Sequence, residues 1–458
     1  MGIVVKPSGM SSLYVTKARI ITEGACVDNS KTQVKGKGIL ALAWDIEVAH
    51  DGDYHIAVNL SLGGIADLSL SSNESRVLFS AKNTNGYFSD PEMNLERVES
   101  SDCLTLQKGN QVITLEVKCE DFISVSSIEL YPNIHSKARE AELAEATQRR
   151  PSTAHYAKKG YGMMVHWTGQ SHPRYGEPKS YEQAVADFDT DRFAMQAKEA
   201  GMAYVFLTAN HAIRHFPAPL TAWEEHYPGF TTKRDLIEDL YQSLKRHGID
   251  LMLYLNFTAA YLSSPYANIE DHKNYTYLSA SQENHYMEVA ISLLNAIGNR
   301  YGSKVKAYWI DSCYQLNQQF STDFKSLYEA AKTGYEDRLV SFNYWILPVA
   351  TPWNDFWAGE TARFVNVPDK SVPSYGPAKG NNYHELIIME NDWGHFVKDT
   401  PIPDPHYNAQ QLAKGAIERR EMGGMLTINP MVYQDGSISE KTMNVLKELK
   451  KLVKEPIV

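Results

Sequence analysis

Val305-Lys306-Ala307-Tyr308-Trp309-Ile310-Asp311 is an apolar run that ends in a carboxylate. Comparable runs recur at 162–166, 204–208, 251–256, 339–343, weakly around 356, at 386–390 and at 425–429. Between them lie amphipathic stretches, among them 192–200 before Gly201, 236–246 before Gly248, and 283–299. A glycine suits such helix ends because it takes the left-handed conformation without steric cost. Apolar strands alternating with amphipathic helices predict a parallel sheet with crossover helices, and about eight strands close a TIM barrel. The last stretch, 439–454, has Met443, Val445, Leu446, Leu449 and Leu452 at helical spacing and reads as the closing helix. The fold expected over 155–458 is therefore α/β, a (β/α)8 TIM-like barrel.

Upstream the periodicity changes. Residues 18–132 show short alternating runs broken by turn residues, the pattern of an antiparallel all-β sandwich. Ala43-Trp44-Asp45-Ile46-Glu47-Val48 and Tyr54-His55-Ile56-Ala57-Val58-Asn59-Leu60 flank Asp51-Gly52, a hairpin signal. A second signal, Gly109-Asn110, separates Leu104-Thr105-Leu106 from Val112-Ile113-Thr114-Leu115-Glu116-Val117. The stretches 48–56, 106–113 and 125–130 resemble the β-sandwich carbohydrate-binding modules found beside glycoside hydrolases. A packing domain is an equal reading. The organisation expected is a sandwich over 1–135, a polar helical linker over 136–154 that stops near Pro151, and the barrel over 155–458.

Composition narrows the partners. A chain of 458 residues exceeds what one core usually organises, and no stretch is apolar enough to span a bilayer. The net charge of -10, with no basic cluster, argues against nucleic acid. Cys26, Cys103, Cys119 and Cys313 lack the paired spacing of zinc or redox motifs and read as buried thiols. No phosphate loop and no His-Glu-x-x-His appear, so neither a cofactor nor a metal is expected. The N-terminus has no basic and apolar leader pattern, so location stays open: periplasmic or extracellular if a leader was trimmed, otherwise cytoplasmic. The pattern specifies no oligomeric state.

In a (β/α) barrel the reactive groups sit at the C-terminal strand ends. Those ends carry His166 and Trp167, Asn210 and His211, Asn256, Asp311, Asn343 and Trp345, Glu360, Glu390 with Trp393, and Asn429. Amides, imidazoles and carboxylates serve hydroxyls, and aromatic planes serve sugar rings, so the expected partner is an oligosaccharide or glycoconjugate.

Four segments resemble the α-L-fucosidase family in order: Gly162-Met163-Met164-Val165-His166-Trp167, Phe206-Leu207-Thr208-Ala209-Asn210-His211, Lys233-Arg234-Asp235-Leu236 with His247-Gly248 and Leu253-Tyr254, and Tyr308-Trp309-Ile310-Asp311. The similarity runs over about 159–396. It implies a retaining exo-glycosidase that releases α-L-fucose through a covalent glycosyl-Asp311 intermediate. For the acid/base it offers Glu360 first, Glu390 second and Glu385 third, and the acting residue should sit in a less solvated place with a raised pKa. His166, Trp167, His211, Asn256, Trp309 and Trp393 would surround the sugar. In the family the second motif has a Lys and two adjacent histidines before Asp-Gly, whereas here Asn210-His211-Ala212-Ile213-Arg214 stands, with Arg214 or His215 as compensating groups. The family's sandwich usually follows the barrel; here it precedes it. A related sugar such as α-L-galactose, or a non-catalytic glycan-binding protein, are the alternative readings.

Overall fold

Alternation over residues 18–132 becomes a β-rich region organised by one long strand. The computed structural model describes residues 3–7, 9–28, 33–73, 75–83, 90, 93–211, 214–256, 280–313, 322–345, 347–366 and 380–454. In it Gly109–Pro132 runs for 24 residues. Its first part pairs antiparallel with Val34–Val48, and its second with Gly52–Leu62. Neither expected hairpin forms. Val34–Val48 and Gly52–Leu62 flank the long strand on opposite sides, and Leu104–Leu106 pairs with Gly52–Leu62 instead. The long strand offers each partner more ladder bonds than a two-residue turn could nucleate, so the non-local pairing wins. Trp44, Ile46, Val58, Leu60, Ile113, Leu115, Ile128 and Leu130 face inward as a core of their own, which fits a β-sandwich. Cys26 corrects the expectation of four buried thiols: it lies exposed on the two-residue strand Cys26–Val27, and only Cys119 and Cys313 are buried.

The helix Ser136–Arg149 leads out of this region. Its polar side docks on the following part of the chain through ion pairs of Arg149 with Glu329 and of Lys325 with Glu145. The Trp353 indole also donates to Glu142 at 2.7 Å.

Eight parallel strands follow: Tyr161–Val165 (β1), Tyr204–Thr208 (β2), Asp250–Asn256 (β3), Val305–Asp311 (β4), Leu339–Phe342 (β5), Glu360–Ala362 (β6), His384–Ile388 (β7) and Met425–Asn429 (β8). Their order is β5-β4-β3-β2-β1-β8-β7-β6. The sheet curls, but no ladder joins β5 to β6 among the described residues, so the expected closed barrel is seen as a curled, open sheet. Residues 354–356, where the weak sixth strand was expected, stand in that gap. Phe356 makes a single parallel bridge to Asn382. The Asp355 backbone donates to Val340 O at 2.8 Å, and the Phe342 backbone donates to Asn354 Oδ1 at 2.7 Å.

Strand alternation sets the two faces. Tyr204, Phe206, Met252, Tyr254, Trp309, Leu339, Leu386 and Met425 share a cluster on the concave side. Val205, Leu207, Leu251, Leu253, Ile310 and Ile387 pack outward against the helices. Leu236–Lys245 is typical of those helices: the Asp235 side chain caps it through the Glu238 backbone, and Leu236, Ile237, Leu240 and Leu244 are buried. No helix of the described residues is long and apolar enough to cross a membrane.

Candidate active site

The concave face presents its polar residues where the strands end. Trp309 and Asp311 alternate on β4 beside Tyr254 and Asn256 on β3, with Tyr254 opposite Trp309 and Asn256 opposite Asp311. The Tyr254 and Trp309 rings stack at 5.2 Å, which holds the phenol over the carboxylate. Asp311 Oδ2 accepts from the Tyr254 hydroxyl at 2.5 Å and from Asn256 Nδ2 at 3.3 Å. Its Oδ1 accepts from the Ser312 backbone at 2.6 Å and from Asn343 Nδ2 at 2.7 Å. All four partners are donors, which is what an ionised carboxylate, an acceptor only, can satisfy. Burial, then the charge of Asp311, raises the Tyr254 phenol well above its ordinary pKa, so it stays a donor.

A second carboxyl group reaches the same amide. Asn343 Nδ2 donates to Glu360 Oε2 as well as to Asp311 Oδ1. The two carboxylate oxygens are thus no farther apart than two hydrogen bonds, roughly 4–5 Å. Burial, followed by the Asp311 charge, pushes Glu360 up to about 8, against an ordinary value of 4.5, while Asn343 works in the other direction.

Backbone strain clusters at the same place. Ser312, Trp345 and Ala362 hold φ of 63°, 52° and 59°, each within two residues of Asp311, Asn343 or Glu360. Such left-handed non-glycine residues cost about 1–3 kcal/mol each and persist where the surroundings over-determine them.

The opposite wall is built on His166. Its Nδ1 lies 2.7 Å from Asn429 Oδ1, and Asn429 Nδ2 donates to Trp393 O at 2.7 Å. The amide is thereby oriented, so His166 Nδ1 carries the proton. Burial, then His211, lowers this imidazole to about 3, leaving a neutral ring with an acceptor nitrogen at Nε2. His211, Tyr254 and Trp393 surround it with ring centroids at 5.6, 5.0 and 5.1 Å.

Of the expected site residues, Asp311, Glu360, His166, His211, Asn256 and Trp393 come together. Four do not. Trp167 follows His166 and so turns outward, fully buried between Tyr181 and Phe188 with its indole on Gln434 O. Trp309 lies one layer below the site, 1% exposed, and its indole donates to Ala358 O. Glu385 has outer-face parity on β7 and forms a fully buried ion pair with Arg419 at 2.9 Å. Glu390 accepts from the Met431 backbone at 2.8 Å and from the Thr442 hydroxyl, and burial raises it to about 7. Nor do the compensating groups arrive: the Arg214 guanidinium covers Tyr227, and His215 stacks on Tyr181 at 4.3 Å. Ala212 and Ile213 lie outside the described residues.

Tyr254, Asn343 and Asn429 make contacts that the sequence did not assign. The two asparagines stand at strand ends, and Tyr254 precedes Asn256 by two positions, which is the signal that could have placed it.

An α-L-fucosidase family model matches residues 181–455, well over half of the chain. The chain belongs to the α-L-fucosidase family. It is a glycoside hydrolase, and the family implies a glycan as substrate. No curated protein matches it in sequence. In structure this family member is similar to an α-L-fucosidase GH29 from Bacteroides thetaiotaomicron, at 17% identity over 66% of this chain and 73% of that chain, with a TM-score of 0.50. It is also similar to the Thermotoga maritima α-fucosidase in complex with a mechanism-based inhibitor, at 16% identity over 67% and 75% of the two chains, with a TM-score of 0.47. At 17% identity the likeness to the Bacteroides thetaiotaomicron structure is one of fold.

Proposed function

We propose that the chain is a retaining exo-glycosidase releasing terminal α-L-fucose, with Asp311 as nucleophile and Glu360 as acid/base. The observation that carries this reading is the pair of carboxyl groups on one amide. Retaining hydrolysis needs carboxyls about 5–5.5 Å apart, whereas inversion needs about 6.5–9.5 Å to admit a water between them. Their surroundings also separate their roles. Asp311 has four donors; Glu360 has the Asn343 amide and a pKa raised to about 8, so it holds a proton at neutral pH.

In the first step an Asp311 oxygen attacks the anomeric carbon, the glycosidic C–O bond breaks, and Glu360 gives its proton to the leaving oxygen. A water then attacks the same carbon as Glu360 takes its proton, and Asp311 leaves as carboxylate. Trp393 would cover an apolar ring face, and His166 Nε2 would accept a sugar hydroxyl. This reading completes the curled sheet to a (β/α)8 catalytic barrel over 155–458, joined by a linker over 136–154 to a sandwich over 1–135.

A related sugar is favoured by one feature. Asn210, which stands in the divergent second motif, spends its amide on the Asn256 backbone, accepting from Asn256 N at 3.2 Å and donating to Asn256 O. A substrate hydroxyl therefore loses a partner there. A panel of nitrophenyl glycosides headed by the α-L-fucoside, with α-L-galactoside beside it, separates the sugars. Asp311→Asn should lose at least about 10³-fold in turnover on the best substrate with the fold intact. Full turnover by that variant removes the mechanism.

A further inference from the structure

We infer that Asn343 is the positioning residue of the site, a two-pronged donor that sets the separation of the two carboxyl groups and eases release of the proton that Glu360 carries. The inference rests on the retaining reading above, and it adds a role to a residue that reacts with nothing.

Asn343 lies just beyond β5 and is buried. Its own backbone is tied on both sides to the end of β4: Asn343 N donates to Ile310 O at 2.7 Å, and Cys313 N donates to Asn343 O at 3.1 Å. The side-chain oxygen accepts from the Trp345 backbone at 2.9 Å. That bond settles the amide orientation, because only the NH2 end then remains for the carboxyls. It also explains the left-handed Trp345, whose φ of 52° accompanies a chain that turns back within two residues of Asn343. A single nitrogen with two hydrogens reaches one oxygen of each acid.

The uneven donor sets follow. Removing this nitrogen leaves Asp311 with Tyr254, Asn256 and Ser312, but takes from Glu360 the only side-chain donor that reaches it among the described residues. The choice of a neutral amide has a consequence of its own. A cation at this position would stabilise both carboxylates and hold Glu360 ionised at neutral pH, whereas an amide bridges the acids without adding charge. Losing the bridge should therefore act on Glu360 far more than on Asp311.

The test uses full-length Asn343→Ala and Asn343→Leu; the second keeps the side-chain bulk but removes the donor without adding a charge. Two readouts are followed, the pH profile of kcat/KM on an aryl glycoside and the direct titration of Glu360 by 13C NMR with labelled glutamate. Expected are a kcat lower by roughly 10²-fold with KM changed only a few-fold. The alkaline limb should move up by about one pH unit or more, because a donor to a carboxylate is lost. Glu360 should titrate correspondingly higher in both variants. A role confined to packing would lower stability and kcat while leaving the alkaline limb and the Glu360 titration where they are in wild type, and that result overturns the inference. The titration needs no turnover. If wild type cleaved no glycoside, the retaining reading would fail while a raised Glu360 in the variants would still establish the bridge.

Discussion

Glu360 couples chemistry to stability. Its pKa is raised from 4.5 to about 8 in the folded protein, so the protonated form binds the fold better than the ionised one. The stability this gives is full below about pH 4.5 and is lost as the pH rises through about 8. Glu360→Gln keeps a neutral side chain at every pH. Its thermal midpoint should therefore exceed that of wild type at pH 9, with the gap closing towards pH 4. A gap independent of pH would mean that burial does not govern this carboxyl. Legibility at this scale was uneven. Asp311, Glu360, His166, His211 and Asn256 were readable because polar residues at strand ends have few reasons to be there other than the mouth of the sheet. Tyr254 was not, since an aromatic residue inside a strand reads as core, and its hydroxyl on Asp311 is a contact between neighbouring strands. Trp167 and Trp309 misled for the converse reason: near a site, a buried Trp more often fills volume than lines the opening.

Among the elements, the seam between β5 and β6 is the departure from a regular barrel, and a buried ion pair occupies it. Asp355 accepts from Lys332 Nζ at 2.8 Å, from the Tyr328 hydroxyl at 2.7 Å and from the Val340 backbone at 2.9 Å, and both charged groups are almost fully buried. Lys332→Met would strand that carboxylate and should cost about 3–5 kcal/mol in denaturant unfolding, with the Lys332→Met, Asp355→Asn double variant losing less. Equal losses would show that the charge is not what the seam depends on. Ala362, on bulged β6, adopts the left-handed region. That conformation costs a non-glycine residue about 1–2 kcal/mol, against about 0.5–1 kcal/mol for the greater freedom of an unfolded glycine. Ala362→Gly should thus raise the unfolding free energy by about 0.5–1 kcal/mol; a loss would mean that φ there is not strained. The faint sixth strand was read around residue 356, ahead of β6 at Glu360–Ala362, because three residues interrupted by a register shift leave no apolar run. The other seven were plain, since parallel strands buried on both faces read as continuous apolar stretches.

For the whole molecule, the change of periodicity near residue 136 was legible as the switch from the strand that ends at Pro132 to the helix Ser136–Arg149, because sheet and helix periods differ. The pairing inside the N-terminal region was not legible. Turn signals are local, whereas the 24-residue strand that organises it draws its two longest partners, Val34–Val48 and Gly52–Leu62, from 61 to 91 positions away. The mouth of the sheet has the same character: Asp311, Asn343, Glu360, His166 and Asn429 lie far apart in sequence, and only the strand order brings them around one space. A covalent bond to Asp311 is the claim on which the chemistry stands. Treating the full chain with a 2-fluoro-α-L-fucosyl fluoride, digesting it and sequencing the labelled peptide by mass spectrometry tests that bond directly. One adduct is expected, on Asp311; an adduct on another carboxylate, or turnover of an aryl fucoside with no adduct at all, would exclude Asp311 as the nucleophile.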